Sequence, residues 1–273
     1  MSGQALRVAR DGDVPALRAL WREVFQDEDA VLDAFFDGLF VPEDTLLAER
    51  GGEIVSAAYL LRGVRLCAEG ARRPAAYFYA LATRPDCRGE GLGRAVTRAC
   101  VRLCAGRGET LCLMPGEESL RRWYAGFAGM KSFGTAREIT AGAAPDPGIG
   151  MEDLDAEAYL RIREAILADT PHAAMPAAFF RLQERLCRLG GGALLALHGS
   201  DGASGLACAE TDGETAVVSE LLWPGEPEEA AAAIAEHFAA ASCAARLPGA
   251  GAQTVMGTGE TPCAPFWWGP VFD

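Results

Sequence analysis

The chain has 273 residues, half of them hydrophobic, and a formal net charge of −13 at pH 7. That length fits one large domain or two modest ones with a sizeable core. No run of roughly 18 or more uncharged apolar residues occurs, so no membrane span is expected, and the acidic balance disfavours a nucleic-acid partner, whose binding rests on clustered basic residues.

The charge is unevenly placed. Residues 1–140 hold nineteen acidic and nineteen basic residues, so the whole deficit falls in 141–273. An acidic half of this kind reads as a solvated, solubilising face or as a surface that steers a cationic amine. The stretch Met1–Arg7 lacks the apolar segment of a signal peptide, and nine cysteines are scattered without a Cys-x-x-Cys pair. Reduced, buried thiols in a cytoplasmic protein are expected. The three histidines lie far apart, so no metal site is expected.

In chain order, Leu6–Ala9 reads as a short strand. Val14, Leu17, Leu20, Trp21 and Val24 recur at helical spacing, as do Val31, Leu32, Phe35, Phe36 and Leu39 after the acidic break Asp27-Glu28-Asp29. Thr45–Glu49 and Ile54–Leu61 flank Gly51-Gly52 and predict a hairpin. The apolar run Ala75–Thr83 predicts a strand. It leads into Arg88-Gly89-Glu90-Gly91-Leu92-Gly93-Arg94, which opens a helix to about Ala105. Thr110–Met114 is a further strand, and a helix from Glu118 carries Leu120, Trp123 and Tyr124.

The glycine-rich turn is the most informative stretch. A strand, a glycine turn and a helix start make an anion site, because the first helical N–H groups lack intrahelical acceptors and glycines admit close approach. A P-loop would need Lys and Ser or Thr that this turn lacks, and a dinucleotide fingerprint would need Gly-x-Gly-x-x-Gly. The order Arg88-x-x-Gly91-x-Gly93 instead resembles motif A of the GNAT N-acetyltransferase superfamily.

The resemblance covers roughly residues 5–140 and implies the GNAT fold, a mixed, mostly antiparallel sheet flanked by helices, within the broader α/β class. It implies that acetyl-coenzyme A is the co-substrate, held at its pyrophosphate by the backbone of Arg88, Gly89, Glu90, Gly91, Leu92, Gly93 and Arg94. Leu81, Ala82 and Thr83 are expected to pair with the pantetheine amides. The acceptor is expected to be a primary amine of a small molecule or a peptide, recognised by Asp27, Glu28 and Asp29. Tyr124 is the candidate general acid. Gly129 falls one residue later than the family pattern, Met130 replaces its Phe, and Glu117 stands where many relatives carry Asn. Tyr77–Ala80 offers no carboxylate base on the central strand. A non-catalytic acyl-coenzyme A sensor and transfer of a longer acyl chain are the alternatives.

Residues 141–150, rich in Ala, Pro, Gly and Asp, read as a linker between a GNAT domain at 1–140 and a second domain at 151–273. Helices are expected at Leu154–Ala168, Pro176–Leu189 and Pro227–Ser242, with strands at Ala193–Leu197, Ser204–Glu210, Thr215–Trp223 and Gln253–Gly257. This order echoes the first half and predicts a tandem GNAT-like arrangement. The counterpart of the anion turn, Trp223–Glu229, carries three carboxylates that repel phosphate. One cofactor per chain is the consequence, with an unrelated α/β cap as the alternative for this half. The apolar tail Pro265–Asp273 suggests a docked terminus, whose carboxylate or Asp273 would supply the missing base.

Overall fold

The computed structural model describes residues 4–144, 148–263 and 265–270. By contact the chain forms two compact units. The first comprises 1–66, 72–132 and 255–261, and the second 67–71, 133–254 and 262–273.

The first unit begins with β1 (Gln4–Val8), α1 (Val14–Phe25) and α2 (Asp29–Gly38). Pro15 lies in the first turn of α1, where no N–H is needed, and Gln26 closes the helix in the left-handed region at φ 62°. Next come β2 (Thr45–Arg50), β3 (Glu53–Ala68) and β4 (Ala71–Thr83). The β3–β4 hairpin is longer than the apolar runs predict. Val64 and Leu66 are buried while Arg62 and Arg65 face solvent, so the charges that interrupt the run belong to a strand. Glu69 and Gly70, both at positive φ, form its two-residue turn.

The unit continues with α3 (Leu92–Gly106), β5 (Thr110–Leu113), α4 (Glu118–Ala128) and β6 (Lys131–Ser132). Its sheet order is β1-β2-β3-β4-β5-β15-β6, where β15 is Met256–Gly257 from far along the chain. β4 and β5 run parallel, in register from Ala75↔Thr110 to Tyr77↔Cys112. The core beneath α3 gathers Phe78, Leu92, Val96, Cys100, Leu111, Tyr124 and Met256.

The second unit holds β7 (Thr135–Gly142), β8 (Ile149–Asp153), α5 (Ala156–Ile166), β9 (His172–Ala174), α6 (Ala177–Leu189), β10 (Ala193–Gly199), β11 (Ser204–Thr211), β12 (Thr215–Leu222), α7 (Pro227–His237), β13 (Ser242–Pro248) and β14 (Ala252–Gln253). Its sheet order is β14-β7-β13-β12-β11-β10-β8. Here too a parallel pair, β12–β13, follows an antiparallel meander and is joined by one helix. The order of the first unit is thus repeated, with an Ala-rich core around Ala230, Ala231, Ile234 and Ala235.

Three expectations shift. The helix expected over Pro227–Ser242 ends at His237, because Phe238 caps it, Ala239 turns at φ 52°, and Ser242 starts β13. The single strand expected at Gln253–Gly257 is two short ones, one in each sheet. Ala141–Gly142 and Ile149–Gly150 are strand ends, where composition suggested loop throughout. Among the described residues no helix is long and apolar enough to cross a membrane.

Candidate functional site

The glycine turn sits where β4 hands over to α3. A short 3-10 turn, Pro85–Cys87, follows β4, and Gly91 then opens α3 in the left-handed conformation at φ 82°. Gly89 is left-handed as well. A side chain with a Cβ is strained in this region, so these two glycines are what the turn requires. The first intrahelical bond runs from Ala95 N–H to Gly91 O at 2.9 Å, and no side chain caps the helix start. The amides of Leu92, Gly93 and Arg94 therefore precede the helical ladder at the positive end of its dipole.

Acids close to this turn are tied off by arginines. Glu90, inside the turn, pairs with Arg50 from the end of β2, which holds its carboxyl below the ordinary range. Asp86 and Glu53 both bond Arg84, at 2.7 and 2.8 Å. Without those partners the carboxylates would oppose an anion at the turn. Arg88 bends back, its Nε donating to Thr83 O at 3.2 Å.

The end of β4 is equally defined. Its parallel pairing with β5 stops at Tyr77, and Ala80 takes an unusual positive φ of 51°. Ala82 O accepts the Ser56 hydroxyl at 2.7 Å, and Arg84 N–H donates to Val55 O at 2.9 Å. Residues 82 and 84 thus turn their main-chain groups toward β3. Strand alternation directs those of Leu81 and Thr83 to the other edge, beyond the point where β5 has parted from β4. A Cβ on Gly93 would lie 3.4 Å from Thr83 Oγ1 and 3.6 Å from Leu81 Cδ2, so the bare glycine lies against the end of β4.

Tyr124 is the one buried residue of α4. It stands among Trp123, Phe127 and Phe78, with ring centroids 4.8, 6.1 and 6.2 Å away. Burial pushes its hydroxyl well above the ordinary tyrosine range. Among the described residues the hydroxyl has no hydrogen-bond partner. Gly129 is the left-handed cap of α4 at φ 65°, so the extra residue relative to the family pattern falls at the helix end, past Tyr124.

The acidic break does three separate things. Asp27 accepts the Trp21 indole N–H at 2.7 Å, Asp29 pairs with Arg22, and Glu28 leads into α2 with an exposed side chain. Trp21 is the hub of an aromatic cluster that includes Phe35, Tyr59 and Tyr79, the last at 5.7 Å. Tyr79 precedes Ala80 on β4, which links Asp27 to that strand through Trp21. Asp273 lies outside the described residues. Sequence reasoning missed Arg50 and Ser56, which sit on strands far from the turn in sequence.

The Acetyltransferase (GNAT) domain family matches residues 5–126. The chain carries a GNAT acetyltransferase domain. The match takes in β1 through most of α4, including the whole turn. A comparison with curated proteins finds no match. Among solved structures, the chain is similar to a GCN5-related N-acetyltransferase from Kribbella flavida at 17% identity and a TM-score of 0.64, covering 94% of this chain and 71% of that one. It is similar to Eis1 from Mycobacterium abscessus at 17% identity and a TM-score of 0.63, covering 88% of this chain and 65% of that one. A tandem GNAT protein from the clavulanic acid biosynthesis pathway aligns over 96% of this chain and 100% of its own length, at 12% identity and a TM-score of 0.55. At these identities the likeness is one of fold, and it extends the GNAT architecture to both units.

Proposed function

We propose that the protein transfers an acetyl group from acetyl-coenzyme A to a primary amine of a small molecule or peptide, using one site in the GNAT domain. The observation that carries this reading is the β4–α3 turn, whose left-handed Gly89 and Gly91 and uncapped helix start fit a pyrophosphate. In the second unit the corresponding helix α7 is preceded by Glu226 and carries Glu228 and Glu229 in its first turn, which does not suit an anion.

Acetyl-coenzyme A brings the activated thioester. In this reading the amides of the turn bind its pyrophosphate, while Leu81 and Thr83 orient the pantetheine along the free edge of β4. Attack of the neutral amine on the thioester carbon breaks the carbon–sulfur bond, and Tyr124 gives its proton to the departing thiolate. The hydroxyl suits an acid role because burial keeps it protonated. Asp27, beside the Trp21 cluster, is the proposed contact for the acceptor, with Glu28 and Asp29 at its border. Asp273 is the proposed base. Deleting Phe272 and Asp273 tests that assignment, since unchanged kcat/KM at low and high pH removes it.

Calorimetry with coenzyme A on the wild type and on Gly91→Glu/Gly93→Glu tests the cofactor site. Loss of binding in the variant is expected, and binding at wild-type affinity refutes the site. Release of free thiol from acetyl-coenzyme A across an amine panel separates an enzyme from a sensor.

A further inference from the structure

We propose that Ser56 and Thr97 are positioning residues that lock the end of β4 to the first turn of α3 and thereby set the affinity for acetyl-coenzyme A; the proposal rests on the reading of the β4–α3 turn as the cofactor site. Among the described residues, the buried polar side chains of the first unit are Asp44, Thr45, Ser56 and Thr97. Asp44 pairs with Arg107, and the Thr45 hydroxyl donates to Val41 O at 3.0 Å. Ser56 and Thr97 have no exposure at all, and both bond the segment where β4 gives way to α3.

The partners fix the proton directions. Ser56 Oγ lies 2.7 Å from Ala82 O and 2.9 Å from Thr83 Oγ1. A carbonyl only accepts, so the single Ser56 proton goes to Ala82, and Thr83 donates to Ser56. The Thr83 hydroxyl is thereby held 3.4 Å from the point that a Cβ on Gly93 would take. One turn further along α3, the Thr97 hydroxyl donates back to Gly93 O at 2.8 Å. Ser56, Thr83, Gly93 and Thr97 thus form one line of contact from β3 through β4 into α3. Both end members are fully buried, so each acts through the groups it bonds and not by touching the cofactor.

Local structure does not call for a hydroxyl at either place. Thr97 lies in the buried row of α3 with Leu92, Val96, Cys100 and Cys104, where an aliphatic side chain leaves no polar group to satisfy. A threonine that bonds the carbonyl four residues back slightly destabilises its helix. Ser56 is flanked on β3 by the buried Val55 and Ala57. Choices that are unfavourable locally are expected at sites rather than in scaffold. The end of β4 also needs holding, because its pairing with β5 stops at Tyr77 and Ala80 has a positive φ. A flexible cofactor laid across β4 and α3 binds more tightly when both elements are already fixed relative to each other.

Calorimetry with acetyl-coenzyme A on the full chain tests the assignment. Thr97→Val keeps the side-chain shape and removes the hydroxyl, and Ser56→Ala removes the other. Each is expected to weaken binding about threefold to tenfold, the scale of one hydrogen bond, and the double variant to weaken it further. Thr97→Ser keeps the hydroxyl and is expected to bind within about twofold of wild type. Thr45→Val deletes a buried hydroxyl bond of the same kind away from the turn. It is expected to lower the melting temperature by a comparable amount while binding stays within about twofold of wild type. Ser56→Ala and Thr97→Val variants that bind as tightly as wild type overturn the proposal. So does a Thr97→Ser variant as weak as Thr97→Val, or a Thr45→Val variant that loses affinity with them. The Thr97→Val and Thr97→Ser pair differs by one methyl and one hydroxyl at an otherwise unchanged position, so a folding defect in Ser56→Ala cannot shield the outcome. Wild-type binding with unaffected variants removes only the positioning role, whereas a wild type that binds no acetyl-coenzyme A removes the cofactor reading with it.

Discussion

Leu111 on β5 donates its main-chain N–H to Thr258 Oγ1 at 3.1 Å, across a sequence separation of 147 residues. The bond belongs to a short ladder in which β15 lies between β5 and β6, with Met256 opposite both Leu113 and Ser132. The sheet that carries the β4–α3 turn is therefore completed by residues from far along the chain. A chain ending at Thr254 is expected to lose the side of β5 that faces β15, together with the buried Met256. An unpaired strand edge and a core cavity both destabilise, the latter by about 2–5 kcal/mol for a large apolar residue. Truncation should lower the melting temperature of the first unit and promote aggregation, read by scanning fluorimetry and light scattering. A truncated protein as stable and monodisperse as the full chain contradicts this.

Tyr124→Phe keeps the ring in its aromatic cluster and removes only a hydroxyl that has no partner among the described residues. Stability is expected to stay within about 1 kcal/mol, because no partner is orphaned. If the hydroxyl protonates the thiolate, kcat on a cognate amine should fall about a hundredfold or more, the usual scale for a lost general acid. Burial raises the folded pKa, so this acid stays protonated as pH rises through the ordinary tyrosine range near about 10. Wild-type activity should show no alkaline loss attributable to it below that point. A variant with unchanged kcat across the pH profile rules the role out.

The local features of the site were legible in the sequence, and the long-range ones were not. Gly91 and Gly93 announce their turn because only a few residue orders suit an anion at a helix start, and α3 follows from its own periodicity. Nothing local marks Arg50 as the partner of Glu90, or Ser56 as the residue that fixes Ala82, since each pairing depends on strand register. The expected helix overruns to Ser242 because Ala239 to Ala241 suit that state, and β13 beyond it carries no local signal and is placed by its parallel pairing with β12. Gln253–Gly257 reads as one strand, and its division into β14 and β15 follows from pairing in two different sheets.

Burial also sets an alkaline limit on stability. The Cys104 and Cys243 thiols are pushed up to about 12, and those of Cys100, Cys112 and Cys208 are raised as well, chiefly by desolvation. In the unfolded chain thiols titrate near about 8.5. Above that pH the unfolded state has released protons that the folded state retains, so stability is complete below it and declines as pH rises toward the folded values. With reductant present, the urea midpoint is expected to be flat from about pH 7 to 8 and to fall by about pH 10, within that titration window. A midpoint that stays level to pH 10 contradicts the argument. Under native conditions a thiol reagent should modify exposed Cys263 and half-buried Cys67 ahead of the rest.

Glu220 in the second unit receives three donors in a fully buried setting. Tyr159 hydroxyl donates at 2.9 Å, Trp267 indole N–H at 2.6 Å, and Arg163 Nε at 3.0 Å to both oxygens. Arg163 Nη1 donates in turn to Glu164 and to Ala173 O, while Nη2 is without a partner. Trp267 belongs to the apolar tail, so this carboxylate anchors that segment within its unit. Glu220→Gln preserves shape but removes the fully buried carboxylate that faces Arg163, leaving it only the part-exposed Glu164, a loss of up to about 3–5 kcal/mol, the scale for a broken buried pair. Arg163→Met should cost a similar amount, and the double variant less than their sum, because each single change strands the other partner. Gly269→Ala should also destabilise. Its Cβ would lie 2.5 Å from Arg163 Nη2, and the residue sits at φ 104°. Urea unfolding of the four variants measures these terms, with Trp267 fluorescence reporting release of the tail. A Glu220→Gln protein within about 1 kcal/mol of wild type, or strictly additive effects in the cycle, means the cluster does not hold the tail.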